Sequence, residues 1–538
     1  MMHAPRGTGD ATFFFLVIAG SLLGIWHALP LVTVIADEMY YVGGVFRALE
    51  ALSPFPLPGD VPYGTITFFL NYLLQLPLIA GLLVSTGFDI GALKELLIVH
   101  PEVAYIVPRL AGALCAIGFG IFFNRFLRQQ GVGRLGRMSA LSALFCTVLP
   151  AVIFHTGKMW VLSFALVAVS LLYAYRAVGR FKSGGALAGS LYVSVIAAFL
   201  ATANVLFAGL SLAVIPFLAY VLRRNWAHLW TLGKAVLAGV ALFGLFLAVN
   251  FHNVTSLVAL VLNQYDVPAE AVDAGIGLSL ALHSYQLVAA FPLVLLLMLA
   301  AIGARALKHK TLFLLSGAYA LVYFAFVAFS ATWYTDASLY WRYMFPFGFF
   351  FACMLASFSY EGYLKKLLVF FLVLQACVYL YLLYLLCVPT TQNLAREYLI
   401  DAYGSKAVLM YDGGQATELP LNAISAAALK EEFCGSKCQY LKEHPAASGF
   451  APFVLSDQSV IPESLPSTVV VVGPRLSLAC AGNPAATFQS GARDEQFVAI
   501  EHNLGNYLLP DFWRLGRLGQ NLYIYELTSS CFAEFRAR

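Results

Sequence analysis

The sequence predicts a polytopic α-helical membrane protein of about eleven spanning helices, followed by a smaller soluble α/β domain. Hydrophobic residues make up 60% of the 538 residues and charged residues only 11%, which is typical of integral membrane proteins. The charges are unevenly distributed: residues 1–389 contain 34 Asp, Glu, Lys and Arg residues, and the shorter stretch 390–538 contains 26. We therefore predict a membrane domain over residues 1–389 and a soluble domain over residues 390–538.

Apolar stretches of about 20 residues define the predicted spanning helices. The first, from Ala11 to Val34, is too long for the apolar core of a cleaved signal peptide, so we interpret it as an uncleaved anchor. The predicted spans lie near residues 12–34, 104–123, 138–155, 160–177, 187–203, 205–222, 233–250, 284–304, 312–330, 343–360 and 367–387.

Basic residues indicate how these helices are oriented. Clusters of Arg and Lys occur at every second predicted helix end, so all of them lie on one face, which the positive-inside rule makes cytoplasmic. The clusters are Arg125, Arg128, Arg134 and Arg137; Arg176, Arg180 and Lys182; Arg223, Arg224 and Lys234; Arg305, Lys308 and Lys310; and Lys365 and Lys366. This arrangement requires that the apolar run Thr65–Leu83, which contains Pro77, does not cross the bilayer. We therefore predict an interfacial helix there, a cytoplasmic amino terminus and a periplasmic or extracellular carboxyl-terminal domain.

Acidic residues concentrate on the predicted outer face. Of the thirteen Asp and Glu residues before position 390, eleven face outward: Asp37, Glu38, Glu50, Asp60, Asp89, Glu95, Glu102, Asp266, Glu270, Asp273 and Asp336. No acid lies at the predicted mid-membrane level, which argues against the proton relay or ion pathway of a transporter. Asp37 and Glu38 directly follow the first span, and ionisable residues at a bilayer edge are functional candidates. The alternative is that they only cap the segment Met39–Ala51 as a helix.

Cysteine positions agree with this topology. Five cysteines lie in apolar helices, where a reduced thiol acts as a small hydrophobic group: Cys115, Cys146, Cys353, Cys377 and Cys387. The other four, Cys434, Cys438, Cys480 and Cys531, lie in the outward domain, where an even number is typical of disulfides. Cys434–Cys438 with Cys480–Cys531 is the simplest pairing, and the two other pairings remain open. The Cys-x-x-x-Cys spacing differs from that of a thioredoxin-type redox site, which favours a structural role.

The carboxyl-terminal domain has the pattern of a mixed α/β fold. Strands are predicted at Lys406–Tyr411, Thr468–Val472 and Leu522–Leu527, with a helix at Ala423–Phe433. No catalytic signature occurs in this domain, so we predict a supporting or acceptor-recognising module. The whole chain contains no P-loop, no dinucleotide-binding glycine pattern and no zinc spacing, and it has no run of like charge that indicates a nucleic-acid partner.

Several segments carry a resemblance to a known family. The acidic pair outside the first helix, followed by Val61–Gly64 before an interfacial helix, resembles the first external loop of glycosyltransferase-C (GT-C) enzymes. Pro108–Gly118 resembles the Arg-Leu opening of that family's second spanning helix, and Leu149–Trp160 is similar to its third helix and external turn. Arg342-Tyr-Met-Phe-Pro346 resembles a late Arg-Tyr-x-x-Pro element. The similarity covers roughly residues 10–390 and points to the polyprenyl-phosphate-sugar users, such as protein O-mannosyltransferases and the lipid A aminoarabinose transferase.

The resemblance implies an enzyme of the bacterial inner-membrane type that transfers a sugar from a polyprenyl-phosphate donor in the lipid bilayer to a hydroxyl of a glycan, lipid or protein at the outer face. Polyprenyl phosphate is a good leaving group, so the reaction needs one carboxylate as base and cations for the phosphate, and inversion is expected. The implied residues are Asp37 and Glu38 for catalysis; Arg342, Lys158 and Arg109 for the donor phosphate; and Tyr40, Tyr63, His155 and Tyr343 for the substrates. Neither the identity of the sugar nor a divalent metal cofactor follows from the resemblance.

Two positions depart from the family pattern. The external turn after the third helix often carries an Asp in this family, whereas here it carries His155 and Lys158. The usual Pro-Pro-Leu before the interfacial helix is reduced to Pro62-Tyr-Gly. The candidates also have structural alternatives: Arg342, Lys158 and Arg109 as helix-end cations, His155 as a satisfied interface histidine, and Tyr40 and Tyr63 as interface aromatics.

Two other functions suit a membrane protein with its chemistry at the outer face. One is a non-enzymatic flippase, carrier or structural subunit, and the other is a polymerase or ligase of lipid-linked glycans. A flippase is expected to have internal repeats or polar residues along a path through the bilayer, and neither occurs in the sequence. A polymerase or ligase is expected to have its large external loop late among the helices, whereas here the long loop follows the first.

Overall fold

The structure is a computed structural model that describes residues 17–31, 38–59, 64–255, 275–330, 337–403, 407–410, 453–455, 468–473, 475–476, 479–491 and 512–536. In chain order its main helices are α1 (Glu38–Glu50), α2 (Thr65–Ser85), α3 (Ile90–Val99), α4 (Glu102–Gln129), α5 (Arg134–Phe145), α6 (Val148–Phe154), α7 (Trp160–Lys182), α8 (Ala188–Asn204), α9 (Val214–Leu222), α10 (Trp226–Val249), α11 (Gly275–Ala290), α12 (Pro292–Gly303), α13 (Lys310–Ser330), α14 (Phe347–Leu355), α15 (Gly362–Cys387) and α16 (Thr391–Tyr403). Two 3₁₀ helices, Leu206–Ala213 and Ala337–Met344, interrupt this series.

Several of these helices have the length and apolar character of membrane spans, as expected for an integral membrane protein. Six qualify individually: α2, α4, α7, α10, α13 and α15. Two bent pairs, α5 with α6 at 65° and α11 with α12 at 88°, raise the count to eight if each pair is one span. By length and composition, the described residues thus yield six to eight spans, and the predicted number of eleven is not confirmed. Two of the predicted spans, 138–155 and 284–304, are bent pairs of helices, and three others coincide with helices shorter than 18 residues: α8, the stretch 206–222 and α14.

The first predicted span, residues 12–34, is not a continuous helix over its described part. Residues 17–22 are helical, and residues 23–30 form turns in which Gly24 and Ala28 have positive φ angles of 85° and 61°. A left-handed residue redirects the backbone and ends the regular i to i−4 hydrogen bonding of a helix. The carbonyl groups of Gly24, Trp26 and Ala28 accept local backbone hydrogen bonds, and the other carbonyl groups of this unwound stretch (residues 23–30) need partners from elsewhere in the molecule.

Side-chain hydrogen bonds join the long apolar helix α2 to three other helices, each near its end. Thr67 N donates to Oδ1 of Asn204, the last residue of α8, at 2.9 Å. Gln75 Nε2 donates to the carbonyl of Ala104, near the start of α4, at 2.8 Å. Asn250, directly after α10, donates through its side-chain Nδ2 to Oγ1 of Thr65, the first residue of α2, at 2.9 Å. Thr67 and Gln75 are about 12 Å apart along the helix axis, so α2 runs across these helix ends, although its length and composition also suit a crossing.

A five-stranded sheet forms the carboxyl-terminal part of the protein. Its strands are β1 (Ala407–Met410), β2 (Phe453–Leu455), β3 (Thr468–Gly473), β4 (Ala486–Phe488) and β5 (Leu522–Thr528), in the order β2-β1-β3-β5-β4. β1 pairs in parallel with β2 and β3, whereas β5 pairs antiparallel with β3 and β4. The predicted strands at 406–411, 468–472 and 522–527 are confirmed as β1, β3 and β5. The predicted helix at 423–433 lies outside the described residues.

Helices cover both faces of this sheet. Val470 and Val472 of β3 pack in one apolar cluster with α16. Val469 and Val471 pack on the opposite face with α17 (Ser529–Arg536), which follows β5. Alternate residues of a strand point to opposite faces, so β3 is buried on both sides, as its continuous valine run predicts.

A disulfide bond cross-links two of the described residues of this carboxyl-terminal part. Cys480 and Cys531 are joined with an S–S distance of 2.05 Å and a Cα–Cα distance of 5.6 Å. This confirms the predicted Cys480–Cys531 pair and excludes the two alternative pairings, each of which would join Cys480 to Cys434 or Cys438. The latter two cysteines lie outside the described residues.

Candidate active site

A buried ion pair joins α1 to α4. Glu38 is the first residue of α1, Arg109 lies about two turns into α4, and both side chains are fully buried. Arg109 Nε donates to the two carboxylate oxygens at 3.1 and 3.0 Å, and Nη2 donates to Oε2 at 2.8 Å. Several hydrogen bonds between one guanidinium and one carboxylate define the orientation of both groups. The start of α1 is therefore held against α4 in a single arrangement.

The turn between α6 and α7 lies against this ion pair. Gly157 N donates to Glu38 Oε1 at 2.7 Å. The close approach requires glycine at two positions: a Cβ on Gly157 would lie 2.6 Å from the Cβ of Pro108, and one on Gly112 would lie 2.7 Å from a carbonyl oxygen of the turn. Lys158, the next residue, is buried. Glu38 of the acidic pair is thus hydrogen-bonded to the residue directly before Lys158, the predicted phosphate-binding lysine.

Arg109 and His155 also bind backbone carbonyl groups at the end of the first helix. Arg109 Nη1 donates to the carbonyl of Ile25 at 3.1 Å and to that of His27. His155 Nε2 lies 2.8 Å from the carbonyl of Leu23, and its Nδ1 lies 2.6 Å from a carbonyl one turn earlier in α6. These are the groups that an unwound helix end leaves without partners. Every nitrogen of the Arg109 guanidinium therefore already has a protein acceptor.

Aromatic contacts bring the segments of Lys158 and Arg342 together. The ring of Trp160 meets that of Tyr343 edge to face, with their centroids 5.8 Å apart. Phe207 packs against both rings at centroid distances of 6.1 and 5.3 Å. Arg342 Cζ lies 5.5 Å from the centroid of the Tyr343 ring, within the range of a cation–π contact. The buried Nε1 of Trp160 has no hydrogen-bond partner among the described residues, so this aromatic cluster contains an unused donor.

A buried amide fixes the same turn from its other side. Asn204 Oδ1 accepts from Thr67 N at 2.9 Å, while Nδ2 donates to Ser163 Oγ at 2.8 Å and to the Met159 carbonyl at 3.3 Å. A fully satisfied buried network of this kind rigidifies the elements that it joins. The turn between α6 and α7 is therefore held by this amide on one side and by the ion pair on the other.

The predicted site residues converge in two neighbouring clusters. The first contains Glu38, Arg109, His155 and Lys158, and the second contains Arg342 and Tyr343. Asp37 and Tyr63, as well as the side chain of Tyr40, lie outside the described residues. No group of three His, Cys, Asp and Glu side chains that could hold a metal ion occurs in the part of the chain that the structure describes.

Three residues of the site were not predicted from the sequence: Gly157, Trp160 and Asn204. The sequence gives a weak indication of Asn204 alone: it is a lone amide that directly ends an apolar run, and a buried amide there must find hydrogen-bond partners. Gly157 stands between two polar residues in the turn that joins α6 to α7, where its small size alone carries no indication of a close contact. Lys158 directly follows Gly157 in the chain, and Arg342 lies beside Tyr343, whose ring contacts that of Trp160. Cationic side chains of this kind suit a phosphate ligand.

A solved structure similar to this chain is that of ArnT from Cupriavidus metallidurans in the apo state. The comparison gives a TM-score of 0.48 and 13% sequence identity, and it covers 98% of this chain and 99% of that chain. No family model matches the sequence, and no curated protein matches it either.

Proposed function

We propose that the protein is an integral membrane glycosyltransferase of the GT-C type, which moves a sugar from a polyprenyl-phosphate donor to an acceptor hydroxyl at the outer face. One observation carries the proposal: three family-like segments meet at Glu38, Arg109 and Gly157 through contacts that span 71 and 119 residues of sequence. Residues 1–389 would form the catalytic membrane domain and residues 390–538 an exoplasmic domain. Contact between three segments that each resemble a motif of the same family, and that are far apart in the sequence, is what a shared site requires.

The proposed reaction is a single displacement. The acceptor oxygen attacks the anomeric carbon opposite the phosphate, so that the new C–O bond forms as the old one breaks and the configuration inverts. Asp37 takes the proton of the acceptor hydroxyl, and polyprenyl phosphate leaves with the electron pair of the broken bond. Lys158 and Arg342 stabilise the charge on the leaving phosphate, and the unused donor of Trp160 lies in the same cluster. One base suffices for this reaction, in contrast to the two carboxylates of glycosidases.

In this proposal Glu38 and Arg109 orient the site and do not touch the substrates. The resemblance implies a catalytic role for Glu38 and a phosphate contact for Arg109. Both side chains are fully buried, however, and the carboxylate is occupied by Arg109 and by the backbone N–H of Gly157. Asp37 directly precedes Glu38 in the chain, so the ion pair restrains the residue next to the base. His155 would have a similar structural role, because both ring nitrogens lie against carbonyl oxygens.

The proposed topology has eleven spans, a cytoplasmic amino terminus and an outward carboxyl-terminal domain. The contacts of α2 support it, because alternation along the chain puts the start of α4 and the ends of α8 and α10 on one face. A helix that lies flat on that face reaches all three, as α2 does. A helix that crossed the bilayer would meet its neighbours at successive depths.

Cysteine accessibility tests this topology at the two ends of the disputed segment. With an interfacial α2, Ser85→Cys reacts with a membrane-impermeant thiol reagent added from the outside, and Gln129→Cys reacts only after the cytoplasmic side is opened. If α2 crosses the bilayer, both results reverse. Ala51→Cys, which faces outward in either arrangement, serves as the control.

Replacement of Arg342 tests the proposed phosphate site in an assay with a panel of polyprenyl-phosphate sugars. We expect Arg342→Ala to raise KM for the donor and to lower kcat, because a phosphate without its charged partner costs a few kcal/mol, which is about 100-fold in kcat/KM. Arg342→Lys keeps the charge but not the planar fork, so its loss should be smaller. Arg223→Ala is the matched control, since Arg223 lies over the ring of Tyr220 at 3.8 Å in a predicted cytoplasmic cluster. Equal losses in the Arg342 and Arg223 variants would contradict the assignment.

A further inference from the structure

A side chain from the carboxyl-terminal part holds the unwound stretch that leads to the acidic pair. Asn393 Nδ2 donates to the carbonyls of Ala28 and Leu29, both at 3.1 Å. Its Oδ1 accepts from Oγ1 and N of Thr390 at 2.6 and 3.3 Å. All polar atoms of this buried amide are therefore used. The opposite orientation of the amide would set Oδ1 against two carbonyl oxygens, so these contacts define a single orientation.

Asn393 lies in the first turn of α16, which packs on the sheet of the carboxyl-terminal domain. Two hydrogen bonds join this turn to the loop before β5. Thr391 N donates to the carbonyl of Leu518 at 3.0 Å, and Thr391 Oγ1 donates to the carbonyl of Gln520 at 2.6 Å. Between them, Gly519 has a φ of 105°, and any Cβ there would collide with Thr391 Oγ1. The packing of α16 on the sheet and the two hydrogen bonds of Thr391 to this loop thus fix the position of Asn393 relative to the sheet.

The segment that contains Asp37 is anchored at both ends. Leu29 is held by Asn393 and Glu38 by Arg109, and only eight residues lie between these two anchors. We infer that Asn393 is a positioning residue, through which the carboxyl-terminal domain sets the place of Asp37 without touching the substrates. The catalytic consequence rests on the proposed function, whereas the anchoring contact does not. The domain is then part of the catalytic apparatus and more than an appended module.

The full-length Asn393→Ala variant tests this inference with two readouts. The first is the labelling rate of Ala36→Cys with a membrane-impermeant maleimide, which we expect to rise by about threefold or more, because the segment loses one anchor. The second is transfer from a polyprenyl-phosphate sugar. A misplaced base slows the chemical step by about 10- to 100-fold in kcat, while KM for the donor stays within about twofold, because no donor contact is removed.

Tyr525→Phe provides the control. Tyr525 is also a buried residue of the carboxyl-terminal domain, but its hydroxyl oxygen accepts from Leu476 N at 3.2 Å on the face of the sheet opposite to α16. We expect this variant to leave labelling and kcat near the parent values. Asn393→Ser, which keeps a shorter donor, should give intermediate values and serves if the alanine variant is not recovered.

The two possible failures can be told apart. The inference is overturned if the Asn393 variants match the parent in both readouts, or if Tyr525→Phe changes both to the same extent. Faster labelling of the Asn393 variants, in a protein whose parent transfers no sugar from any donor of the panel, would support the anchoring contact and contradict the transferase function.

Discussion

Asp37→Asn should lower the rate of sugar transfer by about 100-fold or more, the usual scale for the loss of a general base. The substitution removes the proton acceptor and preserves the shape of the side chain, so membrane insertion and donor binding should be retained. The measurement is kcat with a verified donor and acceptor.

Asp89→Asn is the matched control for this prediction. Asp89 is another acid of the predicted outer face, but its Oδ1 caps α3 by accepting from Gly91 N and Ala92 N at 2.8 and 3.2 Å. An amide oxygen can accept the same bonds, so transfer should be unchanged. If Asp37→Asn retains near wild-type transfer, Asp37 is not the base. A loss of about 100-fold in kcat in Glu38→Gln instead, with KM for the donor unchanged, would transfer that role to Glu38.

Arg109→Met should destabilise the folded protein by about 3–5 kcal/mol, because it leaves the Glu38 carboxylate buried without a countercharge. Two carbonyl groups of the unwound stretch lose their donor as well. The shift is measurable as an earlier unfolding midpoint in detergent micelles titrated with a denaturing detergent. Transfer should fall with it, since the start of α1 is no longer held against α4.

An exposed ion pair and a double variant complete this test. Lys94 and Glu50 also join two helices at 2.8 Å, but their side chains are 48% and 64% exposed, so Lys94→Met should cost less than about 1 kcal/mol. Glu38→Met combined with Arg109→Met removes both buried charges and should be less destabilising than Arg109→Met alone. Equal effects of the Arg109 and Lys94 substitutions would show that the buried pair does not organise the site.

Local patterns in the sequence were sufficient for much of the fold. The valine run of β3 and the alternation in β5 depend only on neighbouring residues, and both strands occur where they were predicted. The first span was predicted incorrectly as a continuous helix. A hydropathy window registers the apolar residues of 23–30, but it does not register that Arg109 and Asn393 supply hydrogen bonds that allow the helix to unwind there. Such partners come from distant parts of the chain.

The site likewise contains residues that could be predicted from the sequence and contacts that could not. Glu38 was identifiable as a candidate because ionisable residues at a bilayer edge are costly, whereas Arg109 and Lys158 were candidates through the resemblance to GT-C enzymes. Their partners were not identifiable, because pairing of Glu38 with Arg109 depends on the glycine contacts that bring the turn of Gly157 against α4. The role of Asn393 is a stronger example, since it acts across more than 360 residues of sequence. Long-range geometry of this kind is a property of packing and has no local signature.

The fate of the sugar–phosphate bond tests the central claim most directly. The purified protein is reconstituted into proteoliposomes with a polyprenyl-phosphate sugar that is labelled in the sugar, together with acceptors that bear free hydroxyl groups. A transferase releases polyprenyl phosphate and attaches the labelled sugar to an acceptor with inverted anomeric configuration, and Asp37→Asn abolishes most of this reaction. Movement of the intact lipid-linked sugar across the bilayer, without cleavage of the bond by wild-type protein, would contradict the account and indicate a flippase.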